Sequence, residues 1–224
     1  MISSDFPRNI LVSDFDGTLT QVDFFQAVLE RLLGGDLSIW HSYCQGKITH
    51  FEALAGYYQQ IRLSEISLKD LVAGLGFPTQ FSLLLGQLRL ANWDLVIASA
   101  GCEWYIRQLV DAQKLENPPM IHANNGTYSA EFGLIMELPR DSPHFDPSIG
   151  ISKVSVVKSL QGPNHWVAFA GDGPTDLAPA LLVEPHLRFA KGSLARLLAE
   201  RAEYFIPFDH WAEIPFHLIR YYSK

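Results

Sequence analysis

The sequence Asn9–Thr20, NILVSDFDGTLT, places two aspartates one residue apart directly after a short apolar run. Residues 10 to 12 are contiguous and aliphatic, and a glycine follows at position 17, so the pattern predicts a strand that is buried on both faces. Asp14 and Asp16 therefore lie where this strand ends. In a parallel α/β sheet, the carboxyl ends of the strands border the crevice where ligands bind.

The two aspartates can be explained in two ways. Carboxylates this close repel each other unless a cation lies between them, and oxygen ligands without neighbouring Cys or His favour Mg²⁺ over Zn²⁺. The same stretch is compatible with an exposed Asx-rich turn after a strand. The choice between a site and a turn depends on the rest of the chain.

Composition restricts the class of protein. The 224 residues are 48% hydrophobic and carry a formal net charge of −7, which argues against nucleic acid or an anionic membrane as a partner. Residues 1 to 10 lack the basic start and apolar stretch of a secretory signal. We therefore expect a cytoplasmic protein, monomeric or homodimeric. Two cysteines are too few for a disulfide scaffold, and we expect Cys102 to be an inert thiol.

The pattern of apolar residues after Thr20 is helical, and no convincing strand lies between residues 21 and 90. Helices are predicted at 24–33, 48–58, 68–72 and 80–90. We interpret residues 23–90 as a small helical bundle, or cap, inserted after the first strand and lying over the crevice. The catalytic core is then formed by residues 1–22 and 91–224.

Strands and helices alternate from Trp93 onward, which is typical of a parallel sheet. Strands are predicted at 95–98, 120–123, 166–170, 187–190 and 204–206. Helices are predicted at 106–110, 153–160 and 194–198, with a terminal helix from about Asp209. Residues 126–138 suit a small β-hairpin appended to the sheet, and 140–150 suit a loop near the crevice. The predicted fold is α/β, with a Rossmann-like parallel sheet flanked by helices.

Three of the predicted strands end in polar residues, at Asp14, Ser99 and Asp172. Helices that follow right-handed crossovers start on the same edge, which places Lys153 there as well. Taken singly, each residue suits an ordinary turn or helix start. Together they supply carboxylates, a hydroxyl and an ammonium around one crevice, which is the set that phosphoryl transfer needs.

These residues closely resemble the four motifs of the haloacid dehalogenase (HAD) superfamily of phosphohydrolases. DFDGT at residues 14–18, Ser99, Lys153 and GDGPTD at residues 171–176 carry the resemblance, which spans nearly the whole chain. The resemblance implies that Asp14 is the nucleophile that forms an aspartyl-phosphate. It implies that Asp16 protonates the leaving alcohol and then activates water.

The resemblance also implies how ligands are held. The implied Mg²⁺ ligands are Asp14, the backbone carbonyl of Asp16, Asp172 and Asp176, the last of them directly or through water. The implied phosphate-binding residues are Thr18, Ser99, Ala100 and Lys153. Because dehalogenating members lack the second acid, its presence favours cleavage of a phosphate ester.

The sequence defines the substrate less well than it defines the reaction. The position of the insertion resembles the cap of the phosphoserine phosphatase-like branch, and such caps close over small metabolites. A missing cap arginine counts against phosphoserine. The chain's ends, FAKGSLARLL and YFIPFDHWAEI, are similar to the branch of methionine-salvage phosphatases, which act on a methylthiopentenyl phosphate. Candidate substrate contacts are Asp23, Trp40, His41, Tyr43, Lys47, His50, Tyr57 and Arg62, although aromatic residues in a small bundle are more often core.

The leading hypothesis is therefore a Mg²⁺-dependent phosphatase for a small phosphorylated metabolite. One alternative is a phosphoserine phosphatase. Another is a non-catalytic phosphometabolite-binding protein with the same fold. A third is a phosphotransferase or mutase that passes the phosphoryl group to a sugar hydroxyl.

Overall fold

A computed structural model describes residues 8 to 222. The first seven residues, which make up most of the segment searched for a targeting signal, lie outside the described residues, as do the last two. Helices cover both faces of one seven-stranded sheet, and further helices follow its first strand. The predicted α/β fold class is confirmed.

The strands alternate with helices along most of the described chain. The strands are β1 (Asn9–Ser13), β2 (Trp93–Cys102), β3 (Met120–Ser129), β4 (Gly133–Glu137), β5 (Phe145–Asp146), β6 (Gly150–Ile151), β7 (Val167–Gly171), β8 (Arg188–Ala190) and β9 (Ile206–Pro207). The main sheet has the order β4-β3-β2-β1-β7-β8-β9, and its neighbouring strands are parallel except for β3 and β4. Strand β1 thus lies at the centre, with its carboxyl end beside those of β2 and β7.

The helices are α1 (Phe24–Leu32), α2 (Ser38–Cys44), α3 (His50–Tyr58), α4 (Glu65–Ala73), α5 (Phe81–Leu90), α6 (Glu103–Asp111), α7 (Lys153–Leu160), α8 (Leu177–Ala180), α9 (Gly192–Glu200) and α10 (Glu213–Tyr222). Within residues 8 to 222, no helix has both the length and the apolar character needed to cross a membrane.

Strand β1 is buried on both sides of the sheet, as its sequence predicts. Leu11 belongs to the larger apolar cluster, which also includes residues of α1, α3, α5, α6 and α10. Val12 belongs to the second cluster on the opposite face, with residues of α7 and α9. Because both faces are covered, polar groups on β1 can reach solvent only at its ends.

The inserted helices leave and rejoin the sheet at neighbouring points. The backbone N–H groups of Gln21 and Val22 both donate to the carbonyl of Leu75, at 3.0 Å. Helix α5 packs against β2 and α10, which are elements of the core. These contacts do not favour a cap that extends to residue 90, and we propose that the insertion ends near Leu75.

Several predicted elements differ in extent from the observed ones. Strand β3 is continuous from Met120 to Ser129, so one strand pairs with β2 and also forms the predicted hairpin with β4. Within the predicted loop 140–150, β5 and β6 form a short antiparallel ladder. Helix α2 was not predicted: Ile39, Trp40 and Tyr43 lie on one of its faces, but the helix has seven residues and none of them is fully buried. The final strand and helix begin later than predicted, at Ile206 and Glu213.

Candidate active site

The carboxylate of Asp14 lies directly after β1 and is held in a fixed orientation. Its Oδ1 atom accepts hydrogen bonds from the backbone N–H of Phe15 at 2.7 Å and from Lys153 Nζ at 2.7 Å. Its Oδ2 atom has no hydrogen-bond partner among residues 8 to 222. One oxygen is therefore anchored and the other is available for chemistry.

Lys153 links two parts of the site. It is the first residue of α7, its side chain is buried, and its Nζ lies 2.7 Å from Asp14 Oδ1 and 2.6 Å from Asp176 Oδ1. Burial lowers the pKa of Lys153, but the charges of Asp14 and Asp176 outweigh it and the net shift is upward. The ammonium therefore stays charged, as a group that neutralises a phosphoryl anion must.

Asp176 positions its neighbours and does not line the cavity. Its side chain is fully buried. Oδ1 accepts from Lys153, and Oδ2 accepts from the backbone N–H groups of Asp172 at 3.1 Å and Gly173 at 2.9 Å. Since both oxygens already accept hydrogen bonds, Asp176 is better suited to orienting Lys153 and the loop after β7 than to direct metal binding.

The carboxylate cluster suits a hard divalent cation. One oxygen each from Asp14, Asp172 and Asp176 lie within 4.8 Å of one another. Thr18 Oγ1 donates to Asp172 Oδ1 at 2.8 Å, which leaves Asp172 Oδ2 without a hydrogen-bond partner in the described chain. Burial, followed by the charge of Asp176, raises the pKa of Asp14 and brings that of Asp172 to about 6. Lys153 offsets part of the negative charge of these three acids, and a divalent cation would offset the rest.

Gly17 makes this arrangement possible. Its φ is +69°, in the left-handed region, and a Cβ at this position would lie 2.6 Å from Asp172 Oδ2. A side chain would therefore strain the turn and displace the carboxylate at the same time.

Asp16 has different partners from Asp14. Its Oδ1 accepts from the backbone N–H of Phe24 at 3.2 Å, and its Oδ2 accepts from the hydroxyl of Tyr105 at 2.5 Å. Burial, followed by the charge of Asp23, raises the pKa of Asp16 to about 7. A carboxyl group that titrates near neutrality can both donate and accept a proton, as a general acid and base must.

Of the predicted phosphate-binding residues, Ser99, Ala100 and Lys153 line the same cavity as Asp14. Ser99 Oγ accepts from the backbone N–H of Gly101 at 2.9 Å and lies 3.5 Å from Asp16 Oδ2. Thr18 is buried, and its hydroxyl is used to hold Asp172. The geometry thus gives Thr18 a role in positioning an acid.

The cavity has a volume of about 400 Å³, and its two walls differ in chemistry. The wall formed by the core carries the charged groups described above. The opposite wall is formed by the inserted helices and is mainly aromatic; its residues are Phe25, Trp40, Tyr43, His50, Leu54 and Tyr58. We call these six residues the aromatic wall. Three of them, Trp40, Tyr43 and His50, are among the substrate contacts proposed from sequence.

The other predicted substrate residues have mixed positions. Asp23 lines the cavity and accepts from the backbone N–H of Gln26 at the start of α1, at 3.3 Å. The remaining four residues do not line it, for reasons that differ between them. His41 and Lys47 are exposed. Tyr57 is buried, and its hydroxyl is hydrogen-bonded to the backbone of Asp36 and Trp40. Arg62 is exposed and donates to the carbonyls of Gln59 and Ile61.

Tyr105 is the main polar residue of the site that sequence reasoning missed. It lies in the first turn of α6, which begins directly after β2 at the same edge as α7. The crossover argument that placed Lys153 at this edge applies equally to Tyr105. Cys102, by contrast, is buried, and burial raises the pKa of its thiol to about 12, which agrees with an inert thiol.

Solved structures with the same fold include hydrolases of the HAD family and phosphoserine phosphatases. A HAD family hydrolase from Salmonella enterica serovar Typhi superposes with a TM-score of 0.68 at 15% identity, covering 97% of this chain and 73% of that one. A substrate-bound phosphoserine phosphatase superposes with a TM-score of 0.61 at 12% identity, covering 92% of this chain and 96% of that one. The fold is therefore the Rossmann-like fold of HAD hydrolases.

The sequence relatives indicate a branch within this class. A protein of Brevibacillus brevis is 22% identical over 178 residues, covering 78% of this chain and 80% of its own. A protein of Bacillus cereus is 21% identical over 204 residues, covering 90% of this chain and 91% of its own. Both are named 2-hydroxy-3-keto-5-methylthiopentenyl-1-phosphate phosphatase. The resemblance inferred from the motifs is thus confirmed, although no protein-family model matches the chain.

Proposed function

We propose that this protein is a Mg²⁺-dependent phosphomonoesterase that hydrolyses a small phosphorylated metabolite through an aspartyl-phosphate intermediate. One observation carries the proposal: Asp14 Oδ1 is held by Lys153 and a backbone N–H, while Oδ2 is left free beside a second acid, Asp16. An anchored carboxylate with one free oxygen is suited to attack phosphorus.

In the first half-reaction, Asp14 Oδ2 attacks the phosphorus atom and the bond to the ester oxygen breaks. Asp16 in its protonated form gives its proton to that oxygen, so the leaving group departs as a neutral alcohol. Lys153 and Ser99 face the phosphoryl oxygens from the core wall and offset their negative charge.

In the second half-reaction, the ionised Asp16 removes a proton from a water molecule as that water attacks the aspartyl-phosphate. The bond between phosphorus and Asp14 Oδ2 breaks, and inorganic phosphate and the original carboxylate are restored. The hydroxyl of Tyr105 holds Asp16 in place for both steps.

Asp172 would hold the cation through its free Oδ2, with the Asp14 carboxylate and the Asp16 carbonyl as further ligands and Asp176 beside them. When bound, Mg²⁺ supplies charge neutralisation for the phosphoryl group. The chemistry of the ligand set supports this metal, because every donor is a hard oxygen.

The aromatic wall favours an uncharged leaving group with an apolar end. Within the described part of the chain, Lys153 is the one Lys or Arg side chain that lines the cavity, and Arg62 is bonded to the end of α3. A substrate carboxylate would therefore lack a cationic partner, which disfavours phosphoserine. A thioether packs well on aromatic rings, so the ester for which the curated relatives are named is the first substrate to assay.

The substitution Asp14→Asn tests the proposal. We expect it to lower kcat for p-nitrophenyl phosphate by about 10⁴-fold or more, because the nucleophile is lost. Phosphate release with Mg²⁺ measures the rate, and circular dichroism and thermal melting check the fold. Asp111→Asn, an exposed aspartate of α6, is the matched control and should leave the rate unchanged.

Two results would contradict the proposal. Wild-type turnover by a folded Asp14→Asn protein would exclude Asp14 as the nucleophile. A wild-type protein that binds phosphate esters but turns over none of them with Mg²⁺ would instead be a binding protein. Added alcohols separate hydrolysis from phosphoryl transfer, since a transferase would form new esters at the expense of free phosphate.

A further inference from the structure

We propose that His50 is a specificity-determining residue, and that its imidazole hydrogen-bonds an uncharged hydroxyl or carbonyl oxygen of the leaving group, close to the phosphate ester. The inference rests on the proposed phosphatase function and adds the chemical class of the substrate. It assigns a task to a polar group of the cavity that the steps above do not use.

The position of His50 is set by α3. His50, Leu54 and Tyr58 are spaced four residues apart, so they form one stripe along the helix, and all three line the cavity. The helix is anchored to the core near both ends: the backbone N–H of Phe51 donates to the carbonyl of Ser148 at 2.9 Å, and the backbone of Leu63 exchanges hydrogen bonds with the hydroxyl of Tyr128. The imidazole is therefore presented to the cavity by a fixed element.

The imidazole is packed but lacks a polar partner. Trp40 and Tyr43 contact the ring edge-on, with centroid separations of 5.9 and 5.4 Å. Nδ1 is buried, and no hydrogen bond to either ring nitrogen is formed by residues 8 to 222. The ring lines the cavity, so its second nitrogen, Nε2, is the one that can bond an oxygen of a ligand held there.

The electrostatic surroundings define what the ring can bind. Burial, followed by the charge of Lys153, lowers the pKa of His50 to about 4, so the ring is neutral near pH 7. A neutral imidazole has one donor and one acceptor nitrogen and can serve either a hydroxyl or a carbonyl. Asp16 and Asp23 line the same cavity and disfavour an anionic group. His50 and Lys153 line the same cavity, so the ring shares one space with the group that faces the phosphoryl end of the substrate.

The test uses esters that differ by one oxygen. Propyl phosphate lacks an oxygen on the second carbon, 2-hydroxypropyl phosphate has a hydroxyl there, and hydroxyacetone phosphate has a carbonyl. We compare kcat/KM for these esters in the wild type, His50→Phe and His50→Gln, with p-nitrophenyl phosphate as a general substrate. His41→Phe, an exposed histidine of the same inserted segment, is the matched control.

We expect His50→Phe to lower kcat/KM for the two oxygenated esters about tenfold relative to propyl phosphate, the usual effect of one lost hydrogen bond. We expect kcat/KM for propyl and p-nitrophenyl phosphate to change less than for the oxygenated esters, since the phenyl ring keeps the packing against Trp40 and Tyr43. His50→Gln retains a donor and an acceptor and should keep most of the selectivity, and His41→Phe should keep all of it.

Three results would overturn the inference. Unchanged selectivity in His50→Phe would show that the ring does not contact the leaving group, and an equal loss on all esters would show that it supports the site as a whole. If His50→Phe does not fold, unchanged selectivity in His50→Leu has the same meaning. Absence of any wild-type turnover with Mg²⁺ would reject the phosphatase function itself, and the inference with it.

Discussion

The two walls of the cavity differ in how their polar groups are satisfied. On the core wall, Asp14, Asp16 and Lys153 are each held by two hydrogen bonds or ion pairs, at least one of them to a group from a distant part of the chain. On the aromatic wall, ring contacts dominate, such as the stacking of Phe25 on Trp40 at 4.8 Å, and His50 lacks a hydrogen-bond partner within the described residues.

This difference separates the tasks of the two walls. A phosphoryl group is the same in every monoester, so the groups that act on it can be fixed in advance. A leaving group varies between substrates, and aromatic and neutral polar side chains can favour one by shape and by a few hydrogen bonds. We therefore expect changes on the core wall to affect kcat for all esters, and changes on the aromatic wall to affect selectivity.

Lys153→Met offers the strongest test of the core wall. It removes the cation that the proposed mechanism places against the phosphoryl group, and we expect kcat to fall about 10³-fold for every ester. It also leaves two buried carboxylates unpaired, which lowers the free energy of unfolding by roughly 3 kcal/mol or more. Phosphate release and urea unfolding measure the two effects. Lys158→Met, an exposed lysine on the same helix, should show neither.

Mg²⁺ should stabilise the protein more at high pH than at low pH. In the folded, metal-free protein, burial raises the pKa of Asp14 and brings that of Asp172 to about 6. A raised carboxyl pKa makes the folded state the stronger proton binder, so stability from these groups is greatest at low pH and is lost as the pH rises through about 6.

At a Mg²⁺ concentration about a hundred times Kd, we therefore expect an increase in Tm of roughly 5 to 10 °C near pH 8. Near pH 5 the increase should be much smaller, because protons compete for the same carboxylates. Thermal melts with MgCl₂ or EDTA measure this. Asp172→Asn should abolish the difference between the Mg²⁺-induced increases in Tm near pH 8 and near pH 5. An increase that does not depend on pH would show that the cation binds elsewhere.

Tyr105→Phe tests whether the Tyr105 hydroxyl positions Asp16 or binds the substrate. The hydroxyl donates to Asp16, and loss of a hydrogen bond to a charged group should lower kcat for alkyl phosphates roughly 10- to 100-fold. Because that bond favours the ionised carboxylate, its loss should also raise the pKa that appears in the pH–rate profile. KM should change little. An effect on KM alone would show that Tyr105 binds the substrate and does not position Asp16. Tyr204→Phe, at an exposed tyrosine, is the control.

Trp40→Ala should produce the smallest and most selective effect. It removes the ring that contacts Phe25, Tyr43 and His50, so we expect KM for esters with an apolar leaving group to rise about tenfold, with kcat nearly unchanged. Initial rates across a series of alkyl phosphates measure this. A uniform fall in kcat would remove the distinction between the two walls. Trp166→Ala, directly before β7 on the opposite edge, is the control.

The core wall could be predicted from the sequence because its residues are tied to strand ends. Asp14, Ser99 and Asp172 each follow an apolar strand, and parallel strands place these ends on one edge. Tyr105 was missed because an aromatic residue at a helix start has no distinct pattern, although its helix begins at that edge.

The aromatic wall could be predicted only in part. The sequence indicated that aromatic and polar residues of the insertion were candidates, but it could not separate Tyr57, buried within the insertion, from Trp40, which faces the cavity. Both are aromatic, and both lie near helical apolar positions. Helix α2 was missed because it has seven residues and buries none of them completely, so its apolar face is too short to stand out in the sequence.

The sequence by itself determined the sheet, the edge on which polar residues meet, and the chemistry that those residues can perform, since strand periodicity and chain direction are local properties. The tertiary structure alone decided which carboxylate oxygens are free, which hydroxyl holds Asp16, and which rings line the cavity. These depend on contacts between residues far apart in the chain, such as Tyr105 with Asp16 and Thr18 with Asp172, and no local pattern encodes the distance between them.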